Sequence, residues 1–175
     1  MDLCGQGLLS AVTEIVTKAQ RLRSKEEVLR AFGGGLEGLD YDVAVVSVER
    51  EFLHLRYITD RPALSAIQHL TRKLIPLPSL AMLSGSIQAG CIYDRQAFLT
   101  IADPLVRLFP IDRLSDEVAV SLKAKVLALP ISVRGQPWGG VALMSNGLAD
   151  EHLPILRLFA AQMGTALEVA DRVRE

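Results

Sequence analysis

The stretch from Leu127 to Ala170 constrains the fold most, because it holds two short apolar runs joined by a turn and closed by one long amphipathic helix. The runs flank Arg134-Gly135-Gln136-Pro137, where Pro fixes φ and Gly permits φ > 0, as a hairpin loop requires. In the first run, strand alternation puts Leu127, Leu129, Ile131 and Val133 on one face and Ala128, Pro130 and Ser132 on the other. In the second, Val141 and Leu143 are bulky on one side while Gly140 and Ala142 are small on the other. The bulky faces call for helices. The small faces leave room for either a close helix or a ligand. The run ends at Ser145-Asn146-Gly147, and a helix is expected from near Asp150, a candidate N-cap, with Pro154 acceptable in its first turn. Along it Leu156, Phe159, Met163, Ala166, Ala170 and Val173 recur at alternating spacings of three and four, an a/d seam.

The N-terminal half supplies further elements. Leu8, Val12, Ile15, Ala19 and Leu22 form one apolar stripe, which predicts a helix from about Gly7 to Arg23. Ser24 before Lys25-Glu26-Glu27 is an N-cap signature for a second helix, expected to run to about Phe32 and to end at Gly33-Gly34-Gly35. Val43 to Val48 is β-branched and reads as a strand; Glu49-Arg50-Glu51 turns the chain, and Phe52 to Ile58 is the hairpin partner. A helix is expected over Ala63 to Arg72, a short edge strand over Lys73 to Leu77, a loop with a short helix over Pro78 to Gly90, a strand at Cys91-Ile92-Tyr93, and a helix from Arg95 broken at Pro104. Helices, hairpin, irregular middle, hairpin, helix is the order of an α+β chain built on an antiparallel sheet.

Composition narrows the class. Half the 175 residues are hydrophobic, which fits one folded domain over residues 1–175 with an N-terminal helix in 1–24 and a C-terminal helix in 150–175. A formal net charge of −1 gives no global field for nucleic acid or an acidic membrane. Cys4 and Cys91 are far apart, so a reducing cytoplasm fits better than a disulfide framework. No signal peptide and no apolar run near the length of a membrane span is read from the sequence. Asp171 to Glu175 closes the last helix in mid-pattern without a Gly stop, as a helix continuing into a signalling coil would.

Leu129-Pro130-Ile131 followed by Arg134-Gly135 and Trp138-Gly139-Gly140-Val141-Ala142-Leu143, with Leu156 to Leu167 as closing helix, resembles the end of a GAF domain. Ile75-Pro76-Leu77 and the segment Ser84 to Tyr93 extend the resemblance, which covers roughly Ala11 to Ala170. GAF domains are small sensory and regulatory modules. The resemblance implies a central antiparallel sheet of about five to six strands. It implies N- and C-terminal helices on one face, often dimerising, and a ligand between the other face and the irregular middle segment. The sequence departs from particular branches. It lacks the Asn-Lys, Phe and Asp-Glu arrangement of cyclic-nucleotide binders. Cys91 is followed by Ile92-Tyr93 rather than the His that often neighbours a bilin-attaching Cys, and it stands alone in the middle region.

Candidate chemistry is sparse. Gly33-x-Gly35-x-x-Gly38 matches a dinucleotide fingerprint by letter, but a helix precedes it and a strand follows, the reverse of what presents a helix N-terminus to pyrophosphate. His54, His69 and His152 lie in different elements, so no metal spacing arises; His69 and Cys91 could meet in space and hold haem or metal, but surface or packed structural roles are the favoured reading. Asp40 and Asp42 read as a solvated turn, and Asp112, Asp116 and Glu117 fit a weak cation site and a soluble loop equally well. Ser84-Gly85-Ser86 is not a nucleophile elbow. Trp138 reads as a cap on the core.

Tyr57, Tyr93, Arg95 and Phe98 offer an aromatic wall with one cation, Ser84 and Ser86 offer hydroxyls, and Cys91 lies beside them. Leu8, Val12, Ile15, Leu156, Phe159, Met163, Ala166 and Ala170 form the seam of the terminal helices, either within one chain or with a second copy. The expectation is a non-catalytic sensory domain that binds a small molecule and relays the event through its terminal helices. It would be a homodimer feeding an output domain, with no required cofactor or metal and no nucleic-acid or membrane partner. The alternatives are a ligand-free dimerisation module and a small redox enzyme using Cys91.

Overall fold

A computed structural model describes residues 5–50, 52–61, 74–76, 90–98 and 123–174. Helix α1 spans Gly5–Ala19 and buries Leu8, Val12, Ile15 and Ala19. It stops short of Arg23 because the amides of Arg21 and Leu22 reach back only three residues, to the carbonyls of Lys18 and Ala19, tightening and ending the last turn. Helix α2 spans Lys25–Glu37. The Ser24 side chain accepts from the Glu27 amide at 3.2 Å, and Glu26 and Glu27 face the positive end of the dipole. This helix runs on through all three glycines instead of ending at Phe32. Helical contacts with other elements replace the side-chain propensity that glycine lacks.

Among the described residues six strands follow: β1 (Asp42–Glu49), β2 (Phe52–Ile58), β3 (Leu74–Pro76), β4 (Ile92–Asp94), β5 (Lys125–Val133) and β6 (Gln136–Ser145). They form one antiparallel sheet in the order β3-β2-β1-β6-β5-β4. The β5–β6 hairpin turns at Arg134 and Gly135 alone, both at positive φ (54° and 72°), so Gln136 and Pro137 belong to the strand. Two left-handed residues match the twist of the flanking strands, which is why two suffice. Cys91 precedes β4, which is shifted by one residue from its expected position.

Register stacks the core into cross-strand rows. Val43, Leu143, Leu127 and Ile92 stand in one row; Tyr57, Val45, Val141 and Leu129 stand in the next. The helices cover this face. Helix α3 (Leu153–Arg174) lies on β5 and buries Leu156, Phe159, Met163, Ala166, Leu167 and Ala170, while α1 and α2 pack against it and each other. Phe32 of α2 meets Phe159 edge-on, ring centroids 5.1 Å apart. The seam residues of α1 and α3 are thus the core of one chain, except Val173, which is 52% exposed. Asp150 does not cap α3. It starts a 3-10 turn, Asp150–His152, in which His152 Nδ1 accepts from the Ala149 amide at 3.2 Å. The span Asp150–Val173 is apolar and long enough to pass as a membrane-crossing helix by composition, a length that reading for an unbroken apolar run misses.

One position sets how closely α3 approaches the sheet. A β-carbon on Gly164 would lie 2.2 Å from the Ser132 carbonyl oxygen, a backbone atom. Gly164→Val is expected to push α3 off β5 and lower unfolding free energy by about 1–3 kcal/mol in urea titration. The same measurement on Gly147→Ala, where a β-carbon meets nothing within 4 Å, provides the comparison. Equal stability of Gly164→Val and the parent would refute the close approach.

Candidate functional site

The face of the sheet turned away from the helices carries the small side chains. Ile58, Ala44, Ala142 and Ala128 stand in one row across four strands, and Val46, Gly140 and Pro130 in the next. The row beyond holds Asp42, Met144, Val126 and Tyr93. Ala44, Ala128, Gly140 and Ala142 are partly exposed, whereas Val126 and Met144 are buried. The result is a floor only one β-carbon high at its centre, with larger side chains at one end.

Polar groups sit at that end. Asp42 is 2% exposed and its Oδ2 lies 2.5 Å from Arg61 Nη2. This corrects the expectation of a solvated Asp40/Asp42 turn. Asp42 is the first residue of β1, in phase with Ala44 and Val46, so the pleat turns it onto the floor face; read in phase, the sequence contained that signal. Only Asp40 behaves as expected: its side chain is 84% exposed, and the Lys123 ammonium at 2.7 Å holds its carboxyl below the usual range. Thr59 closes the strand ends, accepting the Val43 amide on Oγ1 at 2.7 Å.

The sequence-selected binding residues divide. Cys91, Tyr93, Arg95 and Phe98 cluster at the β4 edge, where the Arg95 amide donates to the Ala124 carbonyl at 2.9 Å and Lys125 pairs with Asp94. Tyr93 and Phe98 are half-buried; Cys91 and Arg95 are exposed. Ser84, Ser86 and His69 lie outside the described residues, as do the helix expected over Ala63 to Arg72 and Asp112, Asp116 and Glu117.

Tyr57 does not join the wall. It faces Val45 on the helix side, near the opposite edge of the sheet, and its hydroxyl donates to Glu37 Oε1. The cause is a bulge. Val45 pairs with Tyr57 and Val46 with Leu55, leaving Arg56 as an extra residue that reverses the alternation around it. Among the described residues no group of three or more His, Cys, Asp or Glu is placed to hold a metal.

Two predictions follow from these groups. Arg61→Ala leaves the buried Asp42 carboxylate uncompensated; because Arg61 is a third exposed, the loss is discounted to about 1–3 kcal/mol. Unchanged chemical stability of this variant would remove the pair from the site. Burial, and then the Glu37 hydrogen bond and charge, raise the Tyr57 phenol above its ordinary value. A folded-state pKa above the unfolded one gives stability that is complete below about pH 10 and lost as pH rises further. Urea titrations from pH 9 to 11 are expected to show that decline, and a shallower one for Tyr57→Phe.

No family model matches the sequence, and no curated protein is similar to it. Solved structures do match. Residues 122 to 287 of a methyl-accepting chemotaxis protein align with 94% of this chain and 98% of that one, at 22% identity and TM-score 0.63. The phycoerythrobilin-bound GAF domain of a cyanobacterial phytochrome aligns over 100% of both chains at 11% identity and TM-score 0.61. The GAF domain of an Acinetobacter phosphoenolpyruvate-protein phosphotransferase aligns over 94% and 95%, at 14% identity and TM-score 0.59. The chain has the GAF fold.

Proposed function

We propose that this GAF-fold chain is a non-catalytic sensory domain that binds a small molecule on the floor formed by Ala44, Ala128, Gly140 and Ala142 and relays occupancy through α1 and α3. The observation that carries the reading is the asymmetry of the sheet. Its helix face is filled by Val43, Val45, Leu127, Leu129, Val141 and Leu143, all at most 3% exposed, while the centre of its other face holds only Ala44, Ala128, Ala142 and Gly140, with Tyr93 and the Asp42–Arg61 pair at one end. Apolar walls with few polar groups suit a small ligand. The phytochrome domain of the same fold, which carries phycoerythrobilin, supports ligand binding as a use of this architecture. A ligand that favours one packing of the terminal helices shifts the balance between two arrangements. The chemotaxis-protein fragment supports a place within a longer signalling protein with a separate output domain.

A ligand-free dimerisation module is the second reading. Leu9, Leu158, Val169 and Val173 are 43–52% exposed on the outer sides of α1 and α3. A groove of about 240 Å³ between the two helices is lined by Val16, Gln20, Gln162, Thr165 and Val169. Uncharged helical faces of this kind suit pairing with a second copy.

Native mass spectrometry of protein purified straight from cells, beside the same sample denatured, distinguishes the readings. An additional non-covalent mass is expected, and Ala142→Leu, which raises the floor, is expected to remove it while leaving thermal unfolding within a few degrees of the parent. A ligand retained by Ala142→Leu contradicts the placement. Twice the chain mass without ligand brings the dimerisation module forward, and a bare single-chain mass contradicts both readings.

A further inference from the structure

We propose that Tyr57 and Glu37 form a latch that keeps the last turn of α2 helical and couples strand β2 to helix α1. Its functional meaning rests on the relay reading above; the latch itself does not. Residues 33–35 of α2 are all glycine. Glycine weakens a helix interior because it has the most backbone freedom to lose. Three in succession leave this turn dependent on what touches it.

Two side chains touch it, from different elements. A β-carbon on Gly33 would lie 2.1 Å from Tyr57 Cε1, so the phenol ring occupies the space that a side chain would need. A β-carbon on Gly35 would lie 2.4 Å from Ile15 Cγ1 of α1. Gly34, between them, has nothing within 4 Å. The Tyr57 hydroxyl then spans to Glu37 at the end of the same turn and donates to its carboxylate. The bulge at Arg56 is what aims Tyr57 at the helix. A continuous path therefore runs from β2, through Tyr57, to the glycine turn, to Ile15. β2 borders β1 and with it the floor residue Ala44. A shift of β2 that breaks the hydrogen bond frees the weakest turn of α2, and Ile15 loses its seat.

Native-state hydrogen exchange on the full chain tests the latch without any ligand. The reporting amides are Gly38, bonded to the Gly34 carbonyl, and Leu39 and Tyr41, bonded to that of Leu36. Tyr57→Phe keeps the ring and removes the hydroxyl. It is expected to speed exchange at these amides about tenfold, the effect of losing a hydrogen bond to a charged group, and to speed exchange in α1 around Ile15. Val28 to Phe32 in the first half of α2, and β5 and β6, should keep their rates. Gly34→Ala adds helix propensity in open space and is expected to slow the same amides about fivefold. Combined with Tyr57→Phe, it should restore them toward the parent.

Unchanged rates in Tyr57→Phe, or an equal change across the whole chain, overturns the latch. Acceleration confined to α2 with α1 unaffected overturns the coupling. Because these arms need no ligand, a bare mass in the native spectrum would defeat the sensory reading and leave the latch standing.

Discussion

Everything in this fold depends on how closely α3 lies on β5. The helix has no side chain at Gly164, so its backbone meets the Ser132 carbonyl directly, and Leu156, Phe159, Met163 and Leu167 sink into the sheet around that point. Each fully buried side chain of this size contributes on the order of 2 kcal/mol relative to exposure. The exposed Glu168–Arg172 pair on the same helix contributes a few tenths. Apolar burial thus decides where α3 goes. α1 and α2 pack against it and against each other, with Phe32 of α2 meeting Phe159 edge-on.

The helix layer frees the opposite face from any part in holding the helices. The centre of that face is built from Ala44, Ala128, Gly140 and Ala142, all partly exposed. The pairing of buried Asp42 with the partly exposed Arg61 is the exception, a charged element at one end of that face. Such pairs add little net stability over apolar replacements, and they fix geometry by making every other arrangement costly.

The longer strands and helices α1 and α3 were legible because each repeats a period over many residues. Phe52–Ile58 alternates in sequence, and α3 keeps its buried seam from Leu156 to Ala170. The face assignment of β5 was legible for the same reason. Local signals misled where a distant contact overrode them. Gly33-Gly34-Gly35 has the composition of a helix stop, yet Tyr57 and Ile15, remote in sequence, hold it helical. Tyr57 has the composition of a ligand wall, yet one bulged residue turns it to the helix face. Asp42 read as a turn because its partner, Arg61, lies across the hairpin. Alternation carries no information about bulges, and propensity carries none about tertiary neighbours.

The two-residue turn at Arg134-Gly135 has a further consequence, for the order in which the chain can assemble. Residues that pair across β5 and β6 are near neighbours in sequence, and α3 follows directly, so this C-terminal third closes with little loss of loop entropy. The centre of the sheet is different. β1 pairs with β6 across most of the length of the chain, Asp42 opposite Met144. Long-range pairings of that kind form slowly because loop closure precedes any reward from contact. The hairpin and its helix therefore make a local template, presenting an open β6 edge for the N-terminal half to complete.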